Sequence, residues 1–81
     1  MTRFPQVLVN VPVSDRERLE NAEEVWAAVR SAQDELGERG RVLVRASGTE
    51  PLVRVMVEAA TEDEARALAK AISEAVRRIL A

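Results

Sequence analysis

The chain has 81 residues, 47% of them hydrophobic, a net charge of -2, and neither histidine nor cysteine. That balance excludes a disordered polar chain and a membrane-spanning one, and one Phe, one Trp and no Tyr leave nucleic acid without a stacking platform or an attracting field. Without histidine or cysteine, catalysis by this chain alone would need carboxylates or Lys/Arg in an arranged pocket, so a self-sufficient enzyme is not expected, and with no secretory signal pattern the expected location is the cytoplasm.

A chain of this length fits one domain, 1–81, whose folding buries roughly 60–65% of the unfolded surface. Residues 6–13 read Q-V-L-V-N-V-P-V, with Val7, Val9 and Val11 alternating against Leu8, Asn10 and Pro12, the period of a half-buried strand. Pro12 marks the end of that strand or an edge position. Residues 14–20 are polar and lack a clean period, leaving room for a short fourth strand. Asn21 followed three residues later by Glu24 is close to a capping box, so a helix is expected to start near Asn21. Val25, Trp26, Val29, Ala32 and Leu36 then recur at helical spacing, and Gly37 stands where a left-handed C-terminal residue belongs.

From Arg41 the period returns to two. Val42, Val44 and Ala46 face one way and Leu43 and Arg45 the other; after an interruption at residues 47–51, Val53, Val55 and Val57 alternate with Leu52, Arg54, Met56 and Glu58. This is a hairpin. Thr61 with Glu64 forms a capping box, and Ala65, Leu68, Ala69, Ile72, Val76 and Ile79 make a continuous stripe for a second helix. The acidic residues at its start and Arg77 and Arg78 at its end complement the helix dipole, which accounts for Glu62, Asp63 and Glu64 without a metal. Trp26, on the first helix's apolar stripe, reads as an anchor in the core or at a domain edge. The order β-α-β-β-α predicts a two-layer α+β domain, with a mostly antiparallel sheet of three or four strands and two helices on one face. Strand order is not set by the pattern.

The segment of distinctive chemistry is Arg45-Ala-Ser47-Gly48-Thr49-Glu50-Pro51 with Arg54 beyond it. Glycine allows a positive φ and lets backbone amides converge on an anion, Ser47 and Thr49 add hydroxyls, and the two arginines share the face opposite the valines with forks that match phosphate oxygens. Taken alone the same residues also read as a hairpin turn with solvated arginines. Leu8, Leu43 and Met56 on that face form either an apolar docking patch or ordinary exposed surface.

Residues 40–58 resemble the C-terminal phosphate-binding loop of the α-D-phosphohexomutase superfamily, most closely that of the phosphoglucosamine mutases, and residues 4–11 resemble the strand that opens the same domain. Ala46 replaces a proline common in that family and Pro12 a frequent basic residue. The resemblance implies a TATA-box-binding-protein-like fold in which Arg45, Ser47, Gly48, Thr49 and Arg54 hold the substrate phosphate that is not being transferred. It further implies that this domain closes over a phosphosugar, and that a phosphoserine, a Mg2+ loop and a sugar-recognition loop lie on other domains of a parent enzyme. On that account the chain alone carries no cofactor and is inactive. Two to four charge-assisted hydrogen bonds of about 1.5–3 kcal/mol each, against an association cost of about 4–15 kcal/mol, give an isolated affinity of about millimolar at best.

Two other classes stay open on the residues themselves. One is a stand-alone small-ligand-binding or regulatory α+β domain with no phosphate site. The other is an RNA-binding split βαββα module, which the acidic balance and missing ring platform disfavour.

Overall fold

A computed structural model of the chain describes residues 4–80, apart from the side chain of Arg16. The sheet contains β1 (Gln6–Pro12), β2 (Arg41–Ala46) and β3 (Leu52–Glu58), and the long helices are α1 (Glu23–Leu36) and α2 (Glu62–Leu80). β3 lies in the middle, antiparallel to both neighbours, in the order β1-β3-β2. β1 and β2 are therefore parallel to each other with β3 between them, and α1 is the crossover that joins them.

The valine faces converge as their period requires. Val11, Val42, Val53, Val55 and Val57 are buried under the helices. α2 packs over β1 and β3 and α1 against β2. Along α2 the stripe is Ala65, Ala69, Ile72, Val76 and Leu80, and its small residues let the helix lie close to the sheet. Each large aliphatic side chain in this layer contributes roughly 1.5–3 kcal/mol by leaving water. The hydroxyl of Ser73 is also buried here, with no hydrogen-bond partner among the described residues. Among the described residues no helix is long and apolar enough to cross a membrane.

The helix ends follow the sequence unevenly. Thr61 caps α2 as expected, its Oγ1 accepting from the Glu64 amide at 3.2 Å. Gly37 ends α1 as expected with a positive φ, at φ 60° and ψ -133°, a combination outside the left-handed helical well that glycine enters at least cost. α1 starts at Glu23, near Asn21 as expected, but its cap is a different residue. Residues 14–20 contain no fourth strand; a 3-10 turn runs over Arg16–Asn21, capped by the Asp15 carboxylate accepting from the Glu17 amide at 3.0 Å. Asn21 is the last residue of that turn, and buried Ala22 takes the cap position of α1 with no side-chain bond. The indole Nε1 of Trp26 donates to the Leu19 carbonyl at 2.8 Å, tying the turn to α1. Trp26 is thus an anchor, half-buried, whose polar edge holds the connection from β1.

Gln33 closes the other end of α1. Its Nε2 donates to the Gly37 and Gly40 carbonyls and its Oε1 accepts from the Val42 amide at 3.0 Å, satisfying a group on the outer edge of β2. Gly40 sits where a Cβ would run into the Glu58 carbonyl, so the crossing of the β2 entry over the end of β3 requires glycine.

Candidate functional site

The hairpin places every residue of the expected site. The β2–β3 register sets Arg45 directly opposite Arg54, and the β1–β3 register sets Asn10 opposite Arg54 on its other side. All three are exposed on the sheet face that carries no helix. The adjacent row on that face is Leu8–Met56–Leu43, and the one beyond it is Gln6–Glu58–Arg41. Leu8, 68% exposed, Leu43 and Met56 floor a hollow whose remaining walls are Arg45 and Arg54.

The loop between the strands is held at three points. The Ser47 amide donates to the Leu52 carbonyl at 2.9 Å, and the Leu52 amide to the Glu50 carbonyl at 2.8 Å, a three-residue turn centred on Pro51. The fixed φ of proline suits the centre of such a turn. The Val13 amide then donates to the Pro51 carbonyl at 2.9 Å, fastening the loop to the end of β1. Ser47 is buried, and its Oγ accepts from the amides of both Thr49 and Glu50, at 3.4 and 3.2 Å. Two amide N–H groups thus converge on one oxygen, the arrangement an anion-holding concavity uses. In this state the Ser47 hydroxyl organises the turn, whereas Thr49 is exposed.

Gly48 departs from expectation. Gly37 has the one positive φ among the described glycines, so Gly48 does not provide a left-handed turn residue. A Cβ built on it would meet nothing within 4 Å. What its missing side chain provides is open space over the loop backbone.

The charges around the loop are unequal. One hollow beside the loop is lined by Ser14, Asp15, Glu17, Thr49 and Pro51, with two carboxylates. On the helix-free face Arg45 and Arg54 have no ion pair among the described residues, whereas Arg41 lies 3.7 Å from Glu58. An anion is therefore drawn to Arg45 and Arg54 on the helix-free face, whereas Thr49 lines the hollow that holds Asp15 and Glu17 and is not brought together with the two arginines. Asn10 and the acidic wall were not singled out by sequence reasoning. The alternation of β1 puts Asn10 on the helix-free face, but only the strand order brings it beside Arg54. Among the described residues no group of three or more acidic side chains is placed to hold a metal ion.

Comparison with known proteins shows the family and the fold. Residues 8–75 match the family described as Phosphoglucomutase/phosphomannomutase, C-terminal domain. Phosphoglucosamine mutase of Frankia casuarinae is 58% identical over 80 residues, covering 99% of this chain and 18% of the relative. That of Macrococcus caseolyticus is 53% identical over 77 residues, covering 95% and 17%. The crystal structure of Aspergillus fumigatus N-acetylphosphoglucosamine mutase in complex with GlcNAc-6P and magnesium superposes with a TM-score of 0.80 at 38% identity, over 95% of this chain and 16% of that one. The chain thus spans about a sixth of the length of these relatives. It belongs to the C-terminal domain family of the phosphoglucomutases and phosphomannomutases.

Proposed function

We propose that the chain is the phosphate-gripping domain of a phosphoglucosamine mutase, and that Arg45, Ser47, Gly48, Thr49 and Arg54 form its grip. The observation that carries this reading is the Arg45–Arg54 couple, without an ion pair among the described residues, beside a loop whose amides already converge. The guanidinium groups bind phosphate oxygens in a bidentate manner, Ser47 keeps the loop in shape, and the bare backbone at Gly48 lets the phosphate approach. The chain supplies no general base and no nucleophile to this site. Its part in interconverting glucosamine 6-phosphate and glucosamine 1-phosphate is to hold the phosphate that stays in place, while a phosphoserine on another domain exchanges the other.

Magnesium accompanies the Aspergillus relative. The described residues of this chain do not fit such a site, since no acidic group of three is available; the metal belongs to another domain on this reading. The setting is cytoplasmic amino-sugar metabolism leading to cell-wall precursors.

A chimaera tests the proposal. This chain replaces the corresponding domain of the Frankia relative, and mutase activity is measured with glucosamine 6-phosphate. Activity is expected to survive the exchange, and Arg45→Ala or Arg54→Ala to lower kcat/KM about 10- to 100-fold, the equivalent of one lost charge-assisted contact of about 1.5–3 kcal/mol. A chimaera that works equally well with both arginines removed would refute it.

A further inference from the structure

The helix-free face carries two polar rows of parallel construction, and only one of them is complete. In the row Gln6–Glu58–Arg41, a carboxamide on β1, a carboxylate on β3 and a guanidinium on β2 satisfy one another: Gln6 Nε2 donates to Glu58 Oε2 at 3.0 Å, and Arg41 Nε lies 3.7 Å from Glu58 Oε1. Four residues along the strands, the row Asn10–Arg54–Arg45 repeats the carboxamide on β1 and the guanidinium on β2, but has a second guanidinium where the carboxylate stood. The apolar row Leu8–Met56–Leu43 separates the two. Four residues correspond to about 13 Å, beyond the Debye length of about 8 Å at physiological salt, so Glu58 does not neutralise Arg54.

Resting on the phosphate-grip reading, we infer that a bound phosphate completes this second row as Glu58 completes the first, and that Asn10 is a further ligand-binding residue whose Nδ2 donates to that anion. Asn10 makes no hydrogen bond among the described residues, and asparagine is disfavoured in a strand, so neither packing nor propensity explains it. A carboxamide is the side chain this position calls for. An aspartate would pair with Arg54 and take the place of the ligand, whereas an asparagine leaves both guanidinium charges for the anion and adds a donor.

Amide NMR titration of the 81-residue chain with inorganic phosphate at constant ionic strength tests this. Phosphate is expected to shift the amides of residues 45–50 and 54 and also that of Asn10 in the wild type. Asn10→Ala is expected to raise the midpoint about tenfold, the loss of one donor to a charged acceptor. Asn10→Asp is expected to abolish saturation, and Asn10→Gln to recover part of the affinity. An Asn10→Ala midpoint within twofold of wild type overturns the assignment of Asn10 while leaving the phosphate grip standing. A wild type that does not respond removes the grip and this inference with it.

Discussion

Arg45 and Arg54 occupy directly opposed positions on β2 and β3, both exposed and neither paired with a carboxylate among the described residues. Like charges at such a cross-strand pair destabilise a sheet by about 0.2–1 kcal/mol. A local rule broken without compensation inside the fold is the mark of a site where function sets the residues.

Removing one of the two charges should therefore separate stability from binding. Arg45→Thr is expected to unfold at the same urea concentration as the wild type or slightly above it, by up to about 1 kcal/mol. With a Kd of about 10 mM, 100 mM phosphate adds about 1.4 kcal/mol to the wild type. Phosphate also strengthens apolar burial in any protein. The readout is accordingly the difference between the two proteins: the wild-type Tm should rise several degrees more than that of the variant.

The glycines give a paired prediction. Gly40→Ala forces a Cβ against the Glu58 carbonyl and is expected to cost about 1–3 kcal/mol or more. Gly48→Ala has open space and no positive φ, so its urea midpoint should match the wild type. Under the phosphate reading Gly48→Ala nonetheless weakens phosphate binding, because the methyl group stands where the ligand approaches. A Gly48→Ala chain that is both stable and fully able to bind would show that the phosphate does not approach over Gly48.

Much of this architecture is legible in the residues, and the exceptions have physical causes. The valine alternation, Thr61 and Gly37 act through neighbours within four residues, so strands, the α2 start and the α1 end can be read directly. Asn21 misleads because a tertiary contact outweighs its cap propensity: Trp26 pulls Leu19 onto α1 and the preceding turn takes its cap from Asp15. Gly48 misleads because Ser47 and Pro51 shape the loop without a left-handed residue. The arginine couple follows from the hairpin alone, since β2 and β3 are consecutive. Asn10 joins it only through the pairing of β1 with β3, more than 40 residues away in the chain, which no local pattern carries.

Trp26→Phe keeps the ring and loses the 2.8 Å bond to Leu19. The expected cost is about 1 kcal/mol. Hydrogen exchange should quicken at residues 17–22 while the central turns of α2 keep their protection, as expected of a connection that can open locally. Uniformly faster exchange through the whole chain would contradict that placement.

Ser73→Ala removes a buried hydroxyl without a partner and improves helix propensity. The variant is expected to be about 1 kcal/mol more stable, seen as a higher urea midpoint with unchanged slope. A loss of stability would mean that the hydroxyl is satisfied in solution.

The central claim, that this hairpin grips a phosphate group, is tested most directly by two-dimensional amide NMR titration of the chain with glucosamine 6-phosphate, using glucosamine as the phosphate-free control. Saturable shifts centred on residues 45–50 and 54, absent with glucosamine and lost in Arg45→Ala, are the predicted result. Amides that stay still at tens of millimolar glucosamine 6-phosphate in the folded chain, or that move equally with glucosamine, would contradict it.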